Sequence, residues 1–129
     1  MAILPMKCSR YLQDRGLAFE EHQENGQKAV VFKQFALPAG RFDTPHADIL
    51  ILLPGAYPDV APDMFYAMPW LRLAGNNRYP RAADQAVSFA GRSWQRWSRH
   101  NNAWRPGVDG IWTMLKRIET ALADRKSVV

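Results

Sequence analysis

The chain has 129 residues with a formal net charge of +5, 47 % hydrophobic and 22 % charged. That length and balance suit one globular domain over residues 1–129 and exclude a low-complexity or fibrous chain. The single cysteine, Cys8, excludes an intrachain disulfide and a thiolate zinc site within one chain.

No apolar run approaches the roughly 20 residues that span a bilayer. The longest, "ILILLPGAYP", is broken by Pro54 and Gly55. The start "MAILPMK" lacks the charged head and long apolar middle of a secretory signal, so a cytoplasmic location without membrane partners is expected. The positive charge suits nucleic acid, an anionic surface or an acidic protein, and discriminates poorly among them.

In chain order, "PMKCSRYLQDRG" places Met6, Tyr11 and Leu12 on one helical face, with Gly16 as a stop. This predicts a helix over Met6–Arg15. "LAFEEHQ" and "KAVVFKQFAL" flank "ENGQ", and Asn-Gly between β-favouring runs is a strong hairpin signal. Alternation puts Val30, Phe32 and Ala36 on one side, and Val31, Lys33 and Phe35 on the other. "ADILILLP" is apolar on both faces and reads as a strand in mid-sheet, or as one covered by a helix on one side and a loop on the other.

The segment "PGAYPDVAPDMFYAMPWLRLAGNNRYPRAA" carries five prolines with aromatic residues among them. Proline cannot donate to a ladder, yet the segment is too apolar for disorder. It is expected as a long, ordered, irregular flap. In "VDGIWTMLKRIETALADRK", Val108, Ile111, Trp112, Leu115, Ile118 and Leu122 share a helical face. A helix over Val108–Asp124 follows, with "KSVV" as a frayed tail. The sum is an α+β fold: N-terminal helix, antiparallel meander of three strands, proline-rich flap, basic-aromatic segment, long C-terminal helix.

The most specific pattern is "LLPGAYPDVAPDMFY", where a buried strand leads into Pro54, Tyr57, Pro58, Pro62 and Phe65. With "WRPGVDGIWTMLKRIETAL", in which Trp104 and Pro106 precede the last helix, it resembles the ubiquitin-conjugating enzyme (UBC-like) superfamily across nearly the whole chain. Adding "GRSWQRWSRHNNAWRPGVDG", it looks like the prokaryotic branch called family E. The resemblance implies a UBC-like fold and a place in a bacterial ubiquitin-like system. The genes of such proteins tend to lie beside those for an activating enzyme, a ubiquitin-like protein and a JAB-type metalloprotease. A ubiquitin-like protein and an activating enzyme are the partners implied. The first helix is where activating enzymes dock in this fold, which makes Lys7, Arg10 and Arg15 candidate contacts.

The chain departs from the superfamily at its reactive centre. The superfamily's cysteine stands upstream of the tryptophan matching Trp104, at a spacing that lands on Arg96. The His-Pro-Asn triplet is absent too; the region reads "DQAVSFAG". Transfer of an acyl group needs a nucleophile such as a thiolate, and arginine stays protonated up to a pKa above about 12. Cys8, in the first helix, is expected at the opposite end of the domain as a half-buried structural residue.

The stretch Gly91–Gly107 therefore holds the candidate site. His100 is the candidate catalytic residue, as a nucleophile or general base; the competing reading is a histidine that pins a loop. Arg92, Arg96, Arg99 and Arg105 suit a carboxylate grip or stacking on Trp94, Trp97 and Trp104. Packing ranks first for the tryptophans, since each carries on the order of 200 Å² that favours burial. Partner or anion binding ranks second and a nucleic-acid platform third. Tyr57 and Asp109 join the binding set, though Asp109 at a helix start reads equally as a cap. Ser98 with His100 and Asp109 makes only a weak hydrolase pattern. Asp43, His46 and Asp48 could cluster in "RFDTPHAD", but a solvated turn explains them as well. No metal and no cofactor is expected.

Overall fold

A computed structural model describes residues 3–75, 78–80, 82–98 and 103–123. The architecture is α+β. Helix α1 (Met6–Asp14) is followed by strands β1 (Phe19–Glu24), β2 (Gln27–Ala36), β3 (His46–Leu53), β4 (Phe65–Met68), β5 (Gln85–Phe89) and β6 (Arg92–Trp97), then helix α2 (Ile111–Ala123). The strands form one six-stranded sheet in the order β1-β2-β3-β4-β6-β5. Every pairing is antiparallel.

The first hairpin turns at Asn25-Gly26 with both residues at positive φ, 51° and 82°. That geometry matches the twist of the flanking strands and explains the dipeptide. A second hairpin repeats the solution at Ala90-Gly91, φ 53° and 73°. Alanine there lacks the usual sequence signature, so "DQAVSFAG" reads as featureless although it forms β5 and its turn.

Strand β2 alternates only as far as Phe32. Gln34 then takes φ 51° and the register with β3 shifts between Phe32 and Phe35. The bulge returns Phe35 to the face of Phe32, with the rings stacked at 6.2 Å, and leaves Ala36 exposed. The expected pairing of Phe35 with Val31, and of Ala36 with Phe32, is corrected: an inserted residue flips every side chain beyond it.

The proline-rich segment is not wholly irregular, because Phe65–Met68 inserts as β4 between β3 and β6. The rest is tied to β6 by the Trp70 Nε1 bond to the Ser93 carbonyl (3.2 Å) and, most extensively, by one buried side chain. The fully buried amide of Gln95 accepts from Leu71 N (2.8 Å) and Trp97 Nε1 (3.1 Å) through Oε1. Its Nε2 donates to the Leu71 carbonyl (3.0 Å) and the Ala83 carbonyl (2.8 Å). Both donors and both lone pairs are used.

Both faces of the sheet are covered. On the inner face Val30, Phe32, Ile49, Ile51, Phe65 and Trp97 pack with Leu12 of α1 and Leu115, Ile118 and Leu122 of α2. On the outer face Ala29, Val31, Leu50, Tyr66, Phe89 and Trp94 form a second, smaller cluster. No helix closes this one. The β5–β6 hairpin does: the Ala90 N–H donates to Glu24 Oε2 at 2.6 Å, although β1 and β5 are opposite edges of the sheet.

Helix α2 begins at Ile111 rather than Val108, and its expected last residue, Asp124, lies outside the described residues, as does the tail "KSVV". Val108 is 53 % exposed instead of facing the core. Val108 and Asp109 sit in a turn whose amides bond to the Arg105 carbonyl. Met114 and Ala121 fill the buried stripe instead. Gly110 is demanded by its neighbour: a Cβ there would lie 2.6 Å from the Trp112 ring. That ring is held by a bond from Nε1 to the Val108 carbonyl (3.2 Å) and by an edge contact with Tyr11 (5.8 Å).

Candidate functional site

The candidate segment starts as a strand. Alternation along β6 sends Trp94 outward and Gln95 and Trp97 to opposite and inner positions, and each tryptophan joins a different core. Trp94 is 2 % exposed and donates Nε1 to the Phe89 carbonyl at 3.1 Å. Trp97 is fully buried, stacked on Phe65 (5.3 Å) and edge-on to Phe42 (6.0 Å). Neither presents a ring face to a base or a guanidinium ligand.

Arg92 and Arg96 flank Trp94 on the outer side. Arg92 is half exposed, with its Nη1 3.9 Å from Asp48 Oδ2. Arg96 pairs in register with Tyr66 and Gln85. Its Nε is buried without a hydrogen-bond partner. The Tyr66 hydroxyl is pushed up by burial, an effect the nearby Arg96 charge opposes. Arg99 and His100 lie outside the described residues.

The described chain resumes at the far end of the segment, where three elements meet. Trp104 donates Nε1 to the Pro58 carbonyl at 2.9 Å, and its ring lies 6.3 Å from that of Tyr57. Tyr57 Oη is 3.3 Å from Cys8 Sγ. So α1, the flap and the approach to α2 are joined through Cys8, Tyr57 and Trp104. Burial, then the contact with Cys8, pushes the Tyr57 hydroxyl well above its usual range, and it stays protonated. Cys8 thus packs against the flap. It is 2 % exposed rather than half-buried, because the flap closes over the helix face that carries it.

Asp109 spends its oxygens locally. Oδ2 accepts from Arg105 N (2.8 Å) and Oδ1 from Thr113 Oγ1 (3.0 Å), with Arg105 Nη2 at 3.6 Å. The Arg105 N–H does most to hold its carboxyl below the usual carboxylate range; burial opposes this, and Thr113 and the Arg105 side chain reinforce it. The residue pins the turn to the helix start, as a cap would. Ser98 is half-buried, and its backbone N–H donates to the Ala82 carbonyl (3.1 Å).

The three residues of "RFDTPHAD" part company. Asp43 Oδ1 accepts from Arg72 N (3.2 Å), His46 is exposed, and Asp48 turns to the outer face. There Asp48 Oδ2 meets Lys33 Nζ at 2.9 Å and Oδ1 accepts from Gln34 N at 3.0 Å. Burial would raise its pKa, but the Gln34 N–H, Lys33 and Arg92 outweigh it and hold the carboxyl low. This ion cluster escaped the sequence reading. Its signal was one charge inside an otherwise apolar strand, which demands cations nearby.

Among the described residues no group of three or more histidine, cysteine or acidic side chains could hold a metal ion. Among them, too, no helix is long and apolar enough to cross a membrane. No curated protein and no solved structure matches the chain. The family model of prokaryotic E2 family E matches residues 4–125, from the strand of chain before α1 through the end of α2, and the chain belongs to that family.

Proposed function

We propose that this chain is a conjugating-enzyme-like partner, one domain over residues 1–129, in a cytoplasmic bacterial ubiquitin-like modification system. It binds the system's ubiquitin-like protein, its activating enzyme or both, and forms no thioester of its own. One observation carries the reading. The only thiol is 2 % exposed and in contact with Tyr57 Oη at 3.3 Å, so it has no open path to an activated carboxyl. A thiol enclosed by apolar groups is inert, whereas a transferring thiol is accessible and placed among positive charges.

The surface of α1 supports a docking role. Met6 is 74 % exposed, and Lys7 lies over the Trp112 ring at 5.4 Å. Arg15 is committed to Tyr11 Oη (3.1 Å) and Glu119 (3.6 Å), while Arg10 is exposed. Among the described residues, Val60 of the flap and Val108 are the other large exposed apolar side chains. Burial of Trp94 and Trp97 weighs against the nucleic-acid alternative, which keeps only the half-buried Trp104 of its three tryptophans.

Reconstitution with the cognate activating enzyme, ubiquitin-like protein and ATP tests the reading. The expected result is a non-covalent complex, retained by Cys8→Ala and without a thiol-sensitive adduct. A thiol-labile adduct lost in Cys8→Ala overturns it. A thiol-resistant adduct lost in His100→Ala replaces it with histidine chemistry.

A further inference from the structure

The curl of the β5–β6 hairpin over the sheet leaves a cleft between the hairpin and β1. It is lined by Glu20, His22, Val31, Lys33, Phe89, Ala90, Arg92 and Trp94, with a volume of ≈140 Å³. Its walls differ. Val31, Phe89 and Trp94 supply an apolar floor that belongs to the outer core. On one wall Glu20 Oε1 is paired with His22 Nε2 at 3.0 Å.

The other wall has two cations for one carboxylate. Lys33 Nζ sits 2.9 Å from Asp48 Oδ2, while Arg92 Nη1 is 3.9 Å from the same oxygen. The second Asp48 oxygen is taken by the Gln34 N–H. Each Asp48 oxygen thus already accepts one bond, and neither accepts one from Arg92. At 3.9 Å Arg92 is an ion-pair neighbour and not a hydrogen-bonded one. Its guanidinium has no hydrogen bond among the described residues, so a planar fork of donors is available beside the floor. Glu24, at the hairpin tip, is occupied by the Ala90 N–H.

We propose that this cleft binds a carboxylate carried on a small apolar body, either a free acid or the C-terminal residue of a peptide. The carboxylate accepts two parallel N–H bonds from Arg92, with Lys33 as the second positive charge. The body rests on Val31, Phe89 and Trp94. Size sets the limit: a dry protein cavity of about 150 Å³ admits benzene, so one ring or one branched aliphatic side chain fits.

The test is an NMR titration of the full chain with benzoate, benzamide and benzylamine, following the Trp94 indole N–H. Benzoate is expected to shift that resonance saturably, and benzamide, without the charge, to bind at least about tenfold more weakly. Arg92→Gln, at a half-exposed side chain, is expected to weaken benzoate by a similar factor. Arg92→Lys should restore part of the affinity, and Lys116→Gln, an exposed position on α2, should change nothing. A tetrapeptide ending in phenylalanine, compared with its C-terminal amide, distinguishes the sources. Binding of the free-acid peptide at least as tight as benzoate assigns the site to chain termini, and binding of benzoate alone assigns it to a small acid. Equal binding of benzoate, benzamide and benzylamine, an Arg92→Gln variant with unchanged affinity, or no shift at any soluble concentration of benzoate overturns the proposal.

Discussion

The two faces of the sheet solve the same problem with different means. The inner face is closed by α1 and α2, whose buried stripes meet Phe32, Ile49, Ile51 and Trp97. The outer face is closed by the chain's own edge hairpin folding back, with Phe89 and Trp94 as its contribution. Helices bring several side chains per turn to a sheet, whereas a two-stranded hairpin brings every second residue and needs polar help. That help is visible. Where the helices meet the sheet the inner interface is apolar, its buried amide of Gln95 serving the flap, while the outer one carries the Asp48 cluster and the Glu24–Ala90 contact.

The comparison is sharpest at the paired tryptophans of β6. Trp97→Ala empties the centre of the inner core, and a loss of about 5 kcal/mol in chemical denaturation is expected. Trp94→Ala removes an equally buried ring from a smaller cluster that can collapse, and about 3 kcal/mol is expected. Equal losses would mean that the hairpin packs as rigidly as the helices.

Asp48→Asn comes next. It strips a charge from Lys33 and weakens the bond from Gln34, for about 1.5–3 kcal/mol. The folded carboxyl is held low, so its stabilisation is complete above the unfolded value of about 3.9 and fades as pH falls through the lower folded value. The wild-type chain should therefore lose stability on acidification faster than Asp48→Asn, as thermal melts across the acid range would reveal. Parallel acid limbs would remove Asp48 from the account of the outer face.

The smallest effect is at the clasp. Glu24→Gln replaces an exposed charge-assisted bond with a neutral one, costing less than about 1 kcal/mol. Its readout is local: hydrogen exchange at the Ala90 amide should accelerate, with the inner-core amides of β3 unchanged. Acceleration throughout would show that the two faces unfold as one.

What could be read from the chain followed the same division. The inner face was legible because helical periodicity in "IWTMLKRIETAL" and alternation in "KAVVF" report apolar packing directly. The Asn25-Gly26 turn was legible because both residues tolerate positive φ. The outer face was not. The second hairpin turns on Ala90-Gly91, and β4 hides between Pro62 and Pro69. The bulge at Gln34 has no local marker, yet it decides where Phe35 and Ala36 point. At the candidate site, the area each tryptophan carries already favoured packing, and Trp94 and Trp97 are buried; which core each enters was not readable. Burial of Trp94 and Trp97 depends on strand alternation between two cores, which needs the second core to be known. Asp109 as a helix-start anchor was readable from position. The closeness of Cys8 to Tyr57 was not, since it depends on how the flap folds back over α1.

The amide of Gln95 has a consequence for the order in which the chain can be finished. Leu71 and Ala83 both bond to it, and both leave the ribosome before it does. Domains generally form as synthesis proceeds from the N-terminus. Here the proline-rich stretch emerges with its docking point still unmade. Its β4 can pair with β3 as it emerges, but β6 must be synthesised, and paired through Gln95 and Ala67, before Leu71 and Ala83 can make these bonds. The last strand to appear is thus the one that completes the middle of the molecule.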